Sequence, residues 1–238
     1  MHIYGLQKLT LLDYPEHLAA LCFLGGCNFR CPFCQNGVLV LSPESEPHLK
    51  PEELLSFLKK RRGILDGICI SGGEPTLHAD LPELIRSVKE LGYLVKLDTN
   101  GTNPDMLSFL LDEGLLDYIA MDIKSSPTGY PLAVGCPSLP MDRIQSSIDL
   151  LMQRSPDYEF RTTAVKGIHT CSDFAEIGRW IAGCKRYFIQ SYRESPAAVG
   201  ELLGKDMTAF GSFSPEECRE FLEIVQKTIP HACLRGLS

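Results

Sequence analysis

The chain has 238 residues, a formal net charge of −7, and hydrophobic and charged fractions of 44% and 22% that place it among ordinary globular chains with one sizeable core. An acidic balance without a basic tail or patch argues against a nucleic-acid partner, and no apolar stretch approaches the roughly 20 residues of a membrane-spanning helix. Met1-His2-Ile3-Tyr4-Gly5 shows no basic segment followed by an apolar block, so the ten cysteines are expected to stay reduced in the cytoplasm.

The first segment, Leu6 to Leu12, leads to the turn Asp13-Tyr14-Pro15-Glu16 and into an apolar strand, Leu18 to Leu24. Gly25-Gly26 and then Cys27-Asn28-Phe29-Arg30-Cys31-Pro32-Phe33-Cys34 follow directly. Three cysteines in eight residues are soft ligands suited to zinc, copper(I) or iron–sulfur clusters. A structural zinc site and an ordinary [4Fe–4S] cluster each want four ligands, and the nearest downstream candidates are His48 and Cys69. Three local thiolates on a cubane cluster would leave one iron free to hold something else. A zinc site borrowing a distant ligand, a set of reactive thiols, or plain buried cysteines are the competing readings.

After a polar connection (Ser42 to Pro47), Pro51 opens a helix at its favoured first position, with Leu54, Leu55 and Leu58 on one face and Gly63 as its stop. Lys59-Lys60-Arg61-Arg62 then reads as favourable charge at a helix C-terminus. The same unit recurs. Strands are expected at Gly67–Ile70, Tyr93–Leu97, Tyr118–Met121, Tyr158–Val165 and Tyr187–Ile189. Between them run helices carrying Leu84, Ile85, Val88 and Leu91, then Leu107, Leu110 and Leu111, then Ile144, Ile148 and Leu151, each at helical spacing. Ser172 is expected to cap a helix with Phe174, Ile177 and Ile181, and Ser214-Pro215-Glu216-Glu217 has the form of a capping box. That last helix should run to about Ile229-Pro230.

Six strands alternating with helices predict a parallel sheet. A full eight-fold barrel needs about 250 residues, so the fold class is α/β, a partial (β/α)6 barrel, with a flat doubly wound sheet as the alternative. One domain spanning 1–238 is expected, with its core at about 17–193 and a loop and helix at 194–238. Each strand changes character at its carboxyl end: Cys27, Gly72-Gly73-Glu74, Asp98-Thr99-Asn100, Asp122 with Lys124, and Gln190 with Tyr192. In parallel α/β folds those ends share one face, where active sites sit. Each residue also has a plainer reading. Gly72-Gly73 could be a tight turn, Asp98 and Asn100 an Asx turn, Asp122 and Lys124 a surface ion pair. Arg161 could meet an anion or a buried carboxylate, and His169 carries no assigned role.

The C-x3-C-x2-C spacing, with Phe33 just before the last cysteine, resembles the radical S-adenosylmethionine (SAM) superfamily. Asp13-Tyr14-Pro15, the run from Gly26 to Asn36, and Gly72-Gly73-Glu74-Pro75 resemble the activating proteins of anaerobic ribonucleoside-triphosphate reductase. The likeness covers roughly residues 4–193. It implies a [4Fe–4S] cluster on Cys27, Cys31 and Cys34, with SAM on the open iron. It implies that Gly72, Gly73 and Glu74 hold the SAM amino group and that Phe33 lies beside the adenine. Asp98 and Asn100 would meet the ammonium or ribose, and Asp122 and Lys124 the ribose and carboxylate. Arg193 stands where some relatives carry histidine, which leaves its contact open. Reductive cleavage of SAM would yield a 5′-deoxyadenosyl radical that takes hydrogen from a glycine of a partner enzyme. The implied partners are that glycyl-radical enzyme and an electron donor such as flavodoxin or ferredoxin. A radical SAM enzyme acting on a small molecule or peptide is the runner-up; a non-catalytic zinc or iron–sulfur protein is the alternative of another class. The segment Glu194 to Phe213 is expected to border the mouth and contact the partner.

Overall fold

The computed structural model describes residues 1–236. Its eight strands are β1 (Ile3–Thr10), β2 (Ala19–Leu24), β3 (Gly67–Gly72), β4 (Leu94–Thr99), β5 (Tyr118–Asp122), β6 (Tyr158–Ala164), β7 (Tyr187–Ser191) and β8 (Cys233–Arg235). The helices are α1 (Gly37–Leu41), α2 (Pro51–Lys59), α3 (Leu81–Glu90), α4 (Pro104–Asp112), α5 (Tyr130–Val134), α6 (Met141–Arg154), α7 (Cys171–Trp180), α8 (Val199–Leu202) and α9 (Pro215–Gln226). The strands lie side by side in chain order, β1 antiparallel to β2 and every later neighbour parallel. A doubly wound sheet reverses its strand order at a switch point; this one does not. The sheet is a sector of a barrel, open between β1 and β8, as the α/β reading expects.

The six expected parallel strands are β2 to β7, and the structure adds one at each edge. The first segment is a strand from Ile3, where the sequence suggested only a lead into the turn. The tail adds β8, held on β7 by Ile189–Leu234 and Gln190–Arg235 pairing. The last helix is capped by Ser214 and Glu217 as its sequence implies, but it stops at Gln226. For α7 the cap is Thr170, not Ser172. Thr170 Oγ1 accepts from the Asp173 N–H, and Asp173 returns the bond to the Thr170 N–H, which is the two-way geometry of a capping box.

Most of the apolar core lies in one cluster that packs the helices onto the sheet. A second, smaller cluster of Tyr14, Ala19, Tyr118 and Ala120 plugs the barrel floor. Tyr14, from the Asp13-Tyr14-Pro15 turn, is 2% exposed and stands against Gly67, where a Cβ would come within 3.0 Å of its ring. That turn therefore closes the bottom of the barrel, leaving the carboxyl ends of the strands as the open face. Among the described residues no helix is long and apolar enough to cross a membrane.

Candidate active site

The cysteine loop leaves the end of β2 and lies across the carboxyl ends of β3, β4 and β5. Cys27, Cys31 and Cys34 line one cavity of about 130 Å³ together with Gly72, Gly73, Asp98, Asn100, Asp122 and Lys124. Four of the five polar strand ends thus contribute to one cavity. Phe33 and Arg193 face an adjoining cavity of about 320 Å³ with Gln190 and Tyr192, and the two cavities share Cys34, Asn36 and Lys124. Phe33 meets Tyr192 edge-on, with centroids 6.4 Å apart.

Glu74 is the exception, because its side chain is fully buried beneath the cavity. One oxygen accepts from the Thr76 N–H (3.0 Å), the Thr76 hydroxyl (2.5 Å) and the Thr99 hydroxyl (2.8 Å), and the other from the Asn100 N–H (2.6 Å). Burial pushes its carboxyl up and these four donors pull it back. Glu74 ties the end of β3 to the end of β4. Gly72 and Gly73 are glycines for a local reason. Gly72 has φ +121°, and a Cβ on it would lie 2.2 Å from the Leu24 carbonyl oxygen. A Cβ on Gly73 would lie 1.9 Å from the Gly26 carbonyl oxygen. The pair lets the β3 turn press onto the start of the cysteine loop, where Gly73 and Glu74 donate their N–H groups to Leu24 and Gly26. Close backbone approach of this kind is what glycine permits.

Opposite the thiols stands a buried run of charge. Lys96 pairs with Asp98; Arg161 donates to Asp122 at 2.9 Å and stands 3.6 Å from Asp98; Lys124 pairs with Asp122 at 3.0 Å. Deeper in the barrel, Glu159 takes both arms of Arg235 at 2.8 and 3.0 Å and the Tyr118 hydroxyl at 2.8 Å. Arg161 therefore meets buried carboxylates, one of the two outcomes its sequence position allowed. Burial alone would raise Asp122, but Arg161 and Lys124 hold it down at about 2. Burial alone would lower Lys124, and Asp122 with the nearby thiols carries it well above the ordinary range. Lys96, Lys124, Arg161 and Arg235 interleave with Asp98, Asp122 and Glu159, so each of these carboxylates has a cationic partner.

Burial pushes the Cys27 thiol up to about 11 and Cys31 and Cys34 up as well, with Lys124 drawing each back. Left alone, these are inert thiols rather than reactive ones. Among the described residues no three His, Cys, Asp or Glu side chains converge on a spot the size of a single ion. Three thiols that share a cavity without closing on one point suit a multi-iron cluster, in which each thiolate takes a separate iron, better than a lone zinc.

Sequence reasoning overlooked three features. Phe29, Asn36, Val40 and Ser71 also line the thiol cavity. His169, assigned no role, is 4% exposed; its Nδ1 accepts from the Val165 N–H (3.0 Å), so its Nε2 donates to the Lys124 carbonyl (2.9 Å). The tail after β7 folds back onto the cysteine loop. Gly37 donates its N–H to the Ala197 carbonyl (3.2 Å) and Gly200 donates to Pro32 (2.9 Å).

Comparison with known proteins agrees with this geometry. The family description "Radical SAM superfamily" matches residues 21–179. A Methanocaldococcus jannaschii protein, whose name provisionally calls it a glycyl-radical enzyme activating enzyme, is 33% identical over 99% of this chain and 96% of its own length. The S-adenosylmethionine-dependent nucleotide dehydratase of Lacinutrix mariniflava is 35% identical over 46% of this chain and 24% of its own. Among solved structures, Streptococcus suis SuiB bound to precursor peptide SuiA superposes with a TM-score of 0.68 at 16% identity. That match covers 94% of this chain but 50% of SuiB, so the present chain spans about half of that protein.

Proposed function

The chain belongs to the radical SAM superfamily, and on that premise we propose that it installs a glycyl radical on a partner enzyme. The family's cofactors are a [4Fe–4S] cluster and SAM. The observation that carries the activase reading is the end-to-end likeness to the Methanocaldococcus jannaschii protein, 33% identity over nearly all of both chains. We take the partner to be an anaerobic ribonucleoside-triphosphate reductase, and the electron source a flavodoxin or ferredoxin.

In this proposal Cys27, Cys31 and Cys34 hold the cluster, the only thiols lining the cavity among the described residues. Bound there, the cluster would supply the single electron that cleaves the SAM sulfonium, chemistry that would end with one hydrogen atom taken from the target glycine. This chain's residues bind and orient, as protein groups do around such cofactors. Lys124 offers its ammonium to the SAM carboxylate, held in place by Asp122. The backbone at Gly72 and Gly73 receives the amino group. Phe33 and Arg193 line the adjoining cavity, which has room for the adenosyl part. The buried side chain of Glu74 acts only through the backbone it fixes. The open edge between β1 and β8 gives a peptide loop a way in.

The second reading, a small-molecule substrate, draws on the Lacinutrix mariniflava nucleotide dehydratase, although that likeness covers under half of this chain. Anaerobic mixtures of reduced protein, SAM and candidate reductases separate the two. A glycine-centred electron paramagnetic resonance signal on the reductase, with one 5′-deoxyadenosine formed per radical, is the expected result. If SAM is cleaved yet no candidate acquires that signal, the activase reading gives way to the second.

A further inference from the structure

Asn100, at the end of β4, has a side chain with nothing left to offer a ligand. Its Oδ1 accepts from the Thr102 N–H (3.0 Å) and the Thr102 hydroxyl (2.7 Å). Its Nδ2 donates to Asn28 Oδ1 (2.9 Å) and lies 3.8 Å from Cys27 Sγ. Asn28 in turn donates to the Thr102 hydroxyl at 2.9 Å, closing a ring of three side chains. A backbone N–H can only donate, so the Thr102 N–H fixes the oxygen of Asn100 on its side and turns the NH2 toward sulfur. A carboxamide has two donors and two acceptor positions, and here all four are taken. Asn100 is 5% exposed. It cannot serve a ribose hydroxyl without breaking a buried bond.

We propose that Asn100 is an N–H···S donor to Cys27 that raises the reduction potential of the cluster bound there, with Asn28 and Thr102 as the residues that aim it. The Phe29 N–H approaches the same sulfur at 3.4 Å, so Cys27 receives two donors. A donor to a thiolate sulfur draws charge from the cluster and stabilises the reduced state, which carries one more negative charge, over the oxidised one. This inference rests on the reading of Cys27 as a cluster ligand.

The test is a redox titration of the anaerobically reconstituted protein without SAM, followed by electron paramagnetic resonance, beside iron analysis and SAM binding. Asn100→Ala should move the midpoint to more negative potential with iron content unchanged. Thr102→Val, which removes the hydroxyl bonded to both asparagines and leaves only the backbone N–H to hold the amide, should shift it the same way by less. SAM affinity should stay near wild type in both. Unchanged midpoints would overturn the proposal, as would an affinity loss of about tenfold, the scale of one direct hydrogen bond to the cofactor, at constant midpoint. Should Asn100→Ala fail to fold, Thr102→Val alone decides. Cys27→Ala tells the two failures apart. If it keeps a full cluster, the ligand reading falls; if it loses the cluster while Asn100→Ala leaves the midpoint unmoved, only the donor role falls.

Discussion

Val199 donates its backbone N–H to the carbonyl of Cys34 at 2.9 Å, so the first residue of α8 is bonded to the last cysteine of the loop. With the bonds from Gly37 to Ala197 and from Gly200 to Pro32, it makes the tail a strap on the cysteine loop. The packing is tight: a Cβ on Gly200 would lie 2.2 Å from Met207 Sδ, and one on Gly37 2.3 Å from the Ala197 carbonyl oxygen. The segment expected to border the mouth and contact a partner is also bonded to the cysteine loop, and shortening it should disturb the cysteines themselves.

Val199→Pro tests the strap at the backbone. Proline is tolerated at the first position of a helix, and Ala198 before it already has the extended backbone that proline demands. The substitution removes the N–H to Cys34, a bond of about 0.5–1.5 kcal/mol. Faster hydrogen exchange across residues 31–37 and faster loss of iron to chelator are expected. Exchange identical to wild type would mean the strap does not restrain the loop.

The cysteines give a second prediction. Cys27→Ala, Cys31→Ala and Cys34→Ala should each prevent a stable cluster, because no other thiol lines the cavity among the described residues. Cys22→Ala and Cys69→Ala should retain it, since both sit fully buried within strands β2 and β3. Iron and sulfide analysis after anaerobic reconstitution is the measurement. A Cys31→Ala protein as rich in cluster as wild type would sink the assignment.

How far the sequence could be read follows from which forces are local. The strands β2 to β7 were legible because turn and helix signals bracket each of them, and all but β6 are largely apolar runs that turn polar at the end. The edge strands were not. Ile3–Thr10 carries Gln7, Lys8 and Leu9 exposed on an edge, and Cys233–Arg235 is three residues long, placed by pairing with β7 and by the reach of Arg235 to Glu159. The cysteine cavity was legible because strand ends share a face. The inward turn of Glu74 and the closed ring of Asn28, Asn100 and Thr102 were not, since their partners lie up to 74 residues away. Thr170 and Ser172 look alike as caps in sequence; Asp173 three residues after Thr170 is what decides.

Lys124 supplies the third prediction. Removing it leaves Asp122 still paired with Arg161 at 2.9 Å, so Lys124→Ala should orphan no buried carboxylate and should fold normally with full iron content. If Lys124 meets the SAM carboxylate, the lost charge-assisted bond costs about 1.5–3 kcal/mol, or about 10- to 150-fold in affinity. Equilibrium binding of SAM to the anaerobic protein measures it. Equal affinity would return Lys124 to a purely structural pairing with Asp122.

The last prediction concerns pH and the residue that holds Lys124 from behind. His169 must be neutral to accept from Val165 at Nδ1 while donating to the Lys124 carbonyl at Nε2. Burial lowers its affinity for a proton; the Lys124 carbonyl and Asp173 act the other way without restoring the ordinary value, and the Val165 N–H needs the neutral ring. A histidine whose folded pKa lies below its unfolded value, about 6.5, contributes stability that is fully present above that pH. The contribution is lost as pH falls through the folded value. His169→Phe keeps the ring beside Phe174 but leaves the Lys124 carbonyl and Val165 N–H unpaired, which should cost about 1–3 kcal/mol at pH 7.5. Carboxylates such as Asp122 titrate lower and equally in both proteins, so the informative quantity is the difference between the two. In urea unfolding at matched iron content, that gap should narrow steadily from pH 7 to pH 5. A gap that stays constant across this range would show that His169 does not titrate with folding.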